Sequence, residues 1–91
     1  MIELKEKAID RNRDFDPVKL EDGTELFFSQ RSDSSGNVVR CISKREGKDT
    51  GLCSWNTQTG RMSARIEPLN ENTISIMRAM IDGVEQILND K

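Results

Sequence analysis

Cysteine and arginine are the residues of this chain with chemistry to offer. Cys41 and Cys53 are separated by eleven residues. Two thiols do not complete a structural zinc site, which takes four ligands. They could close a cross-strand disulfide, or, in a reducing compartment, serve as buried small hydrophobes. The chain has no histidine and no tyrosine, so the commonest general base and metal ligand is missing. It has neither a glycine-rich phosphate loop nor an acidic metal motif. Catalysis needs convergent groups of matched acidity, so no enzyme activity, cofactor or metal is expected.

What remains is positive charge, and it is unevenly placed. The net charge of the 91 residues is −2. Residues 1–30 carry five basic and eight acidic side chains, and residues 67–91 carry two and five, so each end has a net charge of −3. Residues 31–66 hold Arg31, Arg40, Lys44, Arg45, Lys48, Arg61 and Arg65 against Asp33, Glu46 and Asp49, a basic island of +4. Such asymmetry points to an anionic partner for the middle of the chain. The bland alternative is a solvated sheet face whose arginines keep a small domain soluble.

The elements that position these arginines are short strands. A hydrophobic fraction of 34 %, a charged fraction of 33 % and a mean hydropathy of −0.67 describe a polar chain with a thin core, in one domain at this length. Turn signals at Glu21-Asp22-Gly23, Asp33 to Asn37, Arg45 to Asp49 and Thr57 to Gly60 separate strands near 17–20, 24–30, 38–43, 52–56 and 61–66. Directly opposed residues of an antiparallel pair share a face. Folding about these turns sets Val18 opposite Leu26, Leu26 opposite Cys41, Phe28 opposite Val39, Cys41 opposite Cys53, Val39 opposite Trp55, Trp55 opposite Met62, and Cys53 opposite Ala64. One face then gathers Val18, Leu20, Leu26, Phe28, Val39, Cys41, Cys53, Trp55, Met62, Ala64 and Ile66 as a core. The other carries Phe27, Ser29, Val38, Arg40, Ile42, Leu52, Ser54, Asn56, Arg61, Ser63 and Arg65.

After Pro68, apolar residues at Ile74, Met77, Ile81, Val84 and Leu88 follow the spacing of one helical stripe within residues 70–89. Asn70 or Asn72 suits the N-cap, and Glu71 the positive end of the helix dipole. Ile76, Met80 and Ile87 widen the stripe beyond what one sheet face needs. Ser75, Ala79 and Gly83 form a row of small residues that lets a second backbone approach. A homodimer interface is therefore expected at Ser75, Ala79, Met80, Gly83 and Ile87, unless Gly83 merely fits against the sheet. Residues 1–16 read as an N-terminal arm or short helix with Ile2, Ala8 and Ile9 inward, running into a polar linker over residues 10–14.

The expected architecture is α+β: an antiparallel meander of four to five strands over residues 17–67, with a long C-terminal helix over 70–89 packed on one face. Its outer face supplies the binding set: Arg40, Arg61 and Arg65 around Phe27, Ile42 and Leu52, with Asn56 as a hydrogen-bonding neighbour. Arginine beside aliphatic and aromatic surface is the composition of a protein-binding hot spot. It is also a modest face for single-stranded nucleic acid, but such sheets usually present two or three stacking rings, and here only Phe27 points outward. A protein partner with an acidic surface is favoured, with single-stranded nucleic acid as the alternative. Over residues 17–89, in order of elements alone, the plan resembles the single-stranded-DNA-binding transcriptional coactivators; no motif of that family is present, so no functional residue is carried over. Small phage and mobile-element products that bind and block a host protein offer a second analogy, and an inhibitor or adaptor is the function it implies. No stretch approaches the roughly 20 apolar residues of a membrane span, and the N-terminus lacks the apolar stretch of a signal peptide, so a soluble, cytoplasmic protein is expected.

Overall fold

In the computed structural model, residue 4, residues 12–33 and residues 36–89 are described. The strands are β1 (Arg13–Asp14), β2 (Val18–Lys19), β3 (Glu25–Asp33), β4 (Gly36–Arg45), β5 (Lys48–Asn56) and β6 (Arg61–Ile66), followed by one helix, α1 (Glu71–Asn89). They form one antiparallel sheet in the order β1-β3-β4-β5-β6, with β2 also paired to β3. This is the α+β meander that alternation predicts, with six strands instead of four or five. β1 and β2 are two pieces of one interrupted edge, since Arg13 and Asp14 pair with Gln30 and Ser29 while Val18 and Lys19 pair with Leu26 and Glu25. Pro17 stands in the gap, where its missing N–H breaks no ladder. The polar linker expected over residues 10–14 is thus corrected at Arg13 and Asp14, which are strand. The N-terminal helix expected with Ile2, Ala8 and Ile9 inward lies outside the described residues.

Three of the four hairpins keep the predicted register: Val18 opposes Leu26, Cys41 opposes Cys53, Val39 opposes Trp55, Trp55 opposes Met62, and Cys53 opposes Ala64. The β3–β4 hairpin differs by two residues. Leu26 opposes Ser43 and Phe28 opposes Cys41, because pairing continues out to Asp33 and Gly36 and leaves only two residues for the loop. A shift of two preserves every facing, so both faces keep their membership. The β4–β5 turn is also tighter than the sequence suggests. Glu46 and Gly47 both have positive φ (54° and 78°) between the paired Arg45 and Lys48, the signature of a two-residue hairpin turn whose twist matches its strands. A bulge at Thr50 then restores the alternation, and the Ser43 and Thr50 hydroxyls hydrogen-bond to each other at 2.8 Å.

The core lies between the sheet and α1. Leu26, Phe28, Val39, Cys41, Cys53 and Ile66 from the sheet, with Phe15, meet Ile76, Met80, Val84 and Ile87 from the helix. Asn70 caps α1: its Oδ1 accepts from the Thr73 N–H (3.0 Å), and the Thr73 hydroxyl oxygen accepts from the Asn70 N–H (2.8 Å), a reciprocal cap. Asn72, the other candidate, is engaged elsewhere: its side-chain amide donates to Asp22 Oδ2 in the β2–β3 turn (3.0 Å). The buried helix stripe is Thr73, Ile76, Met80, Gly83, Val84 and Ile87, rotated from the predicted one. Ile74 is exposed, and Met77, Ile81 and Leu88 sit half-buried on the flanks.

That rotation corrects the expected dimer interface. Met80, Gly83 and Ile87 are buried under the helix within one chain, Ala79 is half-buried against the core, and only Ser75 is exposed. The small-residue row turns into the sheet at Gly83 and does not form a surface for a second helix. A second correction concerns β6, where Met62 and Ala64 face the helix side yet are exposed. Strands lie about 4.8 Å apart and a helix is about 10 Å across, so one helix covers two or three strands. α1 packs chiefly over β4 and β5; of β6 it covers Ile66 at the end, while Met62 and Ala64 lie outside the cover. Trp55, expected in the core, is half-buried at its margin, opposite the exposed Met62.

Candidate functional site

No described element covers the face of the sheet opposite α1, and the register orders its side chains into rows. One row crosses β3 to β6 as Phe27, Ile42, Leu52 and Arg65; the next as Ser29, Arg40, Ser54 and Ser63; a third as Arg31, Val38, Asn56 and Arg61. Alternation brings them together, because each sits one residue from a core position. Arg40, Arg61 and Arg65 are exposed, while Phe27, Ile42, Leu52 and Asn56 are half-buried. Six of the seven expected binding residues therefore stand as an open surface, and Asn56 is the exception in role. Its Oδ1 accepts from the backbone N–H groups of Gln58 and Thr59 (2.9 and 3.2 Å), so its carbonyl organises the β5–β6 turn.

Between the second half of β4 and the second half of β6 this face dips into an open groove of about 590 Å³. Arg40, Ile42, Leu52, Ser54, Ser63 and Arg65 line it, together with Asp49, Thr50, Gly51 and Glu67. Gly51 is required here. A Cβ at this position would fall 2.7 Å from Ser43 Oγ and 3.0 Å from the Arg65 carbonyl oxygen, inside van der Waals contact. That Cβ would point to the helix side, where Ser43 and Ile66 are buried, so the glycine serves the close packing of β4 and β6 against β5.

The charges of the bare face divide by position. Arg31 is paired with Asp14 of β1 at 2.7 Å and Lys44 with Asp49 at 3.6 Å, while Arg45, on the helix side of β4, is paired with Asp22 at 3.9 Å. Among the described residues, the guanidinium groups of Arg40, Arg61 and Arg65 have no ion-pair or hydrogen-bond partner. Unneutralised positive charge is therefore concentrated over β4 to β6. Lys44 is a member of this surface that the sequence reading left out: its ammonium lies over the Phe27 ring, 5.5 Å from the centroid. The signal was present, since Lys44 follows Arg40 and Ile42 at two-residue spacing on the same strand.

Cys41 and Cys53 face the core as directly opposed free thiols, neither with exposed surface. Burial pushes both thiols up from their ordinary pKa, and at Cys41 the neighbouring Cys53 adds to the shift. They are poor nucleophiles in the folded state. Among the described residues no group of histidine, cysteine and carboxylate side chains is arranged to hold a metal, and no helix is long and apolar enough to cross a membrane. Comparison with protein-family models, with curated proteins and with solved structures finds no match to this chain.

Proposed function

We propose that this protein is a non-enzymatic binding module that docks an acidic protein surface on the β4–β6 half of its bare sheet face, acting as an inhibitor or adaptor of that partner. The observation that carries this reading is the set of three unpartnered arginines, Arg40, Arg61 and Arg65, interleaved with half-buried Ile42 and Leu52. Arginine anchors beside apolar surface that loses water on contact supply most of the energy of protein interfaces. Carboxylates of a partner would give bidentate pairs with guanidinium groups that have no competing partner among the described residues. Single-stranded nucleic acid is less well served, because Phe27, the outward ring, already has the Lys44 ammonium over one face, where a base would stack. Two buried free thiols side by side fit a reducing compartment, and we place the protein in the cytoplasm on that ground.

Anisotropy titrations test the reading with two labelled probes, a peptide of alternating Asp and Leu residues and an oligo-dT of about 20 nucleotides, the length of a few single-strand sites. The expected result is peptide binding by the parent and its loss in the Arg40→Glu/Arg65→Glu variant. The thermal midpoint should be nearly unchanged, since exposed charges contribute little to stability. Oligo-dT binding that weakens steeply with salt, with no peptide binding, would move the function to nucleic acid. A double variant that binds the peptide like the parent would make this face a solvated surface only.

A further inference from the structure

We infer that the open edge of β6 is a self-association site, at which two copies of the chain pair antiparallel about Ala64 to form one continuous sheet. β6 ends the strand order, and Arg61 through Arg65 are all exposed, so among the described residues nothing pairs with its outer side. The opposite edge of the sheet is broken up by β1, Pro17 and β2; β6 is an unbroken strand of six residues with no proline. Exposed edges of this kind pair unless something blocks them.

The backbone identifies which groups are unpaired. The Glu67 N–H donates to the Thr50 carbonyl at 3.0 Å, and Leu52 opposes Arg65. Because hydrogen-bonded and non-bonded positions alternate in an antiparallel ladder, Arg61, Ser63 and Arg65 turn their backbone polar groups towards β5. Met62, Ala64 and Ile66 turn theirs to the open side. Only pairings that match these three residues with their counterparts satisfy both edges.

Charge then selects among those pairings. With Ala64 opposite Ala64 of the second copy, Met62 faces Ile66 and Arg61 faces Glu67, on both sides of the two-fold axis. All three open residues then exchange bonds, Met62 is covered on the helix side, and two arginine–glutamate pairs form. Arg61 and Glu67 are both exposed, and neither has an ion-pair partner among the described residues. Shifting the centre to Ser63 places Arg61 opposite Arg65, and shifting it to Arg65 sets that arginine against itself; like charges directly opposed destabilise a sheet. Among the described residues, the exposed large apolar side chains lie in the same stretch of chain: Met62 in β6, Leu69 just beyond it and Ile74 in the first turn of α1. A two-fold axis perpendicular to the sheet puts both helices on one side and both arginine faces on the other. The pairing stands whether or not those faces bind an acidic partner.

Sedimentation equilibrium over a range of concentrations, with charge exchange across the pair, tests the site. The parent should show a reversible dimer of the 10.4 kDa chain. Arg61→Glu and Glu67→Arg should each weaken it at least tenfold, and the double exchange Arg61→Glu/Glu67→Arg should restore it. In a Cys53→Ala background, which removes the thiol opposite this position on β5, Ala64→Cys should oxidise to a covalent dimer, because opposed strand positions lie within disulfide reach. A parent that stays monomeric at every concentration overturns the proposal, as does a dimer that both single reversals leave unchanged. Circular dichroism of each variant separates loss of pairing from loss of fold.

Discussion

The two faces of this sheet are made by one alternation yet reach opposite states. On the helix side Leu26, Val39, Cys41 and Cys53 have no exposed surface and Phe28 is 2 % exposed. One residue along each strand, Phe27, Ile42 and Leu52 are as apolar but remain half-exposed, beside arginines that no described residue neutralises. Residue type does not explain the difference, as Met62 and Ala64 show: they belong to the helix side and are exposed all the same. What separates the faces is the reach of a single 19-residue helix. A small sheet with one cover has one face for stability and one available for contact.

The largest contrast should appear in thiol chemistry. Cys41 and Cys53 react only when the sheet opens, so a disulfide reagent at mildly alkaline pH should label them about a thousandfold or more slowly than a Ser63→Cys thiol on the bare face, in line with typical unfolded fractions. Equal rates would remove the distinction between the faces. Substitution measures the same contrast in free energy. Phe28→Ala should cost about 3–5 kcal/mol, the range for buried aromatics, and Leu52→Ala, half-exposed on the other side, about 1 kcal/mol. Urea titration of both variants checks the pair.

The smallest of these effects probes how the cover is held. Asp22 Oδ2 accepts from the Asn72 amide (3.0 Å) and the Thr24 hydroxyl (3.0 Å), and Oδ1 accepts from the Thr24 N–H (2.9 Å). The Asn72 amide first, then the Thr24 N–H, with a smaller contribution from Arg45, hold the Asp22 carboxyl below its ordinary value of 3.8. The folded protein therefore binds fewer protons here than the unfolded chain, and the stabilisation is complete above that ordinary value. It is lost as the pH falls through the lower, folded value. Asp22→Ala should cost about 1–2 kcal/mol at neutral pH, the scale of a hydrogen-bonded charged group. Its stability should also fall less steeply than the parent's in acid, and parallel pH curves would show that the latch does not couple to protonation.

How much of this was legible follows from which signals repeat. Alternation in β3 to β6 is dense enough to place Cys41 against Cys53 and Arg40, Ile42 and Leu52 on the far face. Even the two-residue slip of β3 against β4 left those assignments intact, because facing depends on parity alone. Phe15 was not legible. It is 7 % exposed in the core, but it stands alone between Asp14 and Asp16, and one apolar residue among charges has no period. The helix stripe was misread because apolar residues occupy both Ile74, Met77, Ile81 and Ile76, Met80, Ile87; only the buried Thr73 and Gly83, small enough to sit against the sheet, show which side faces inward. The exposure of Met62 depends on the width of one helix against five strand positions, a tertiary quantity that no local pattern encodes.

That the helix follows in sequence the strands it covers has a consequence for how the chain is made. Every strand pair joins segments close in sequence, so hairpins can zip as soon as each emerges. The contacts of α1 are long-range, as the Asp22–Asn72 bond across fifty residues shows. A nascent chain that has emerged through Ile66 can hold a paired meander whose inner face, from Leu26 to Cys53, is without the cover of α1 until that helix follows. During that interval the apolar surface is a natural target for chaperones and for other nascent chains.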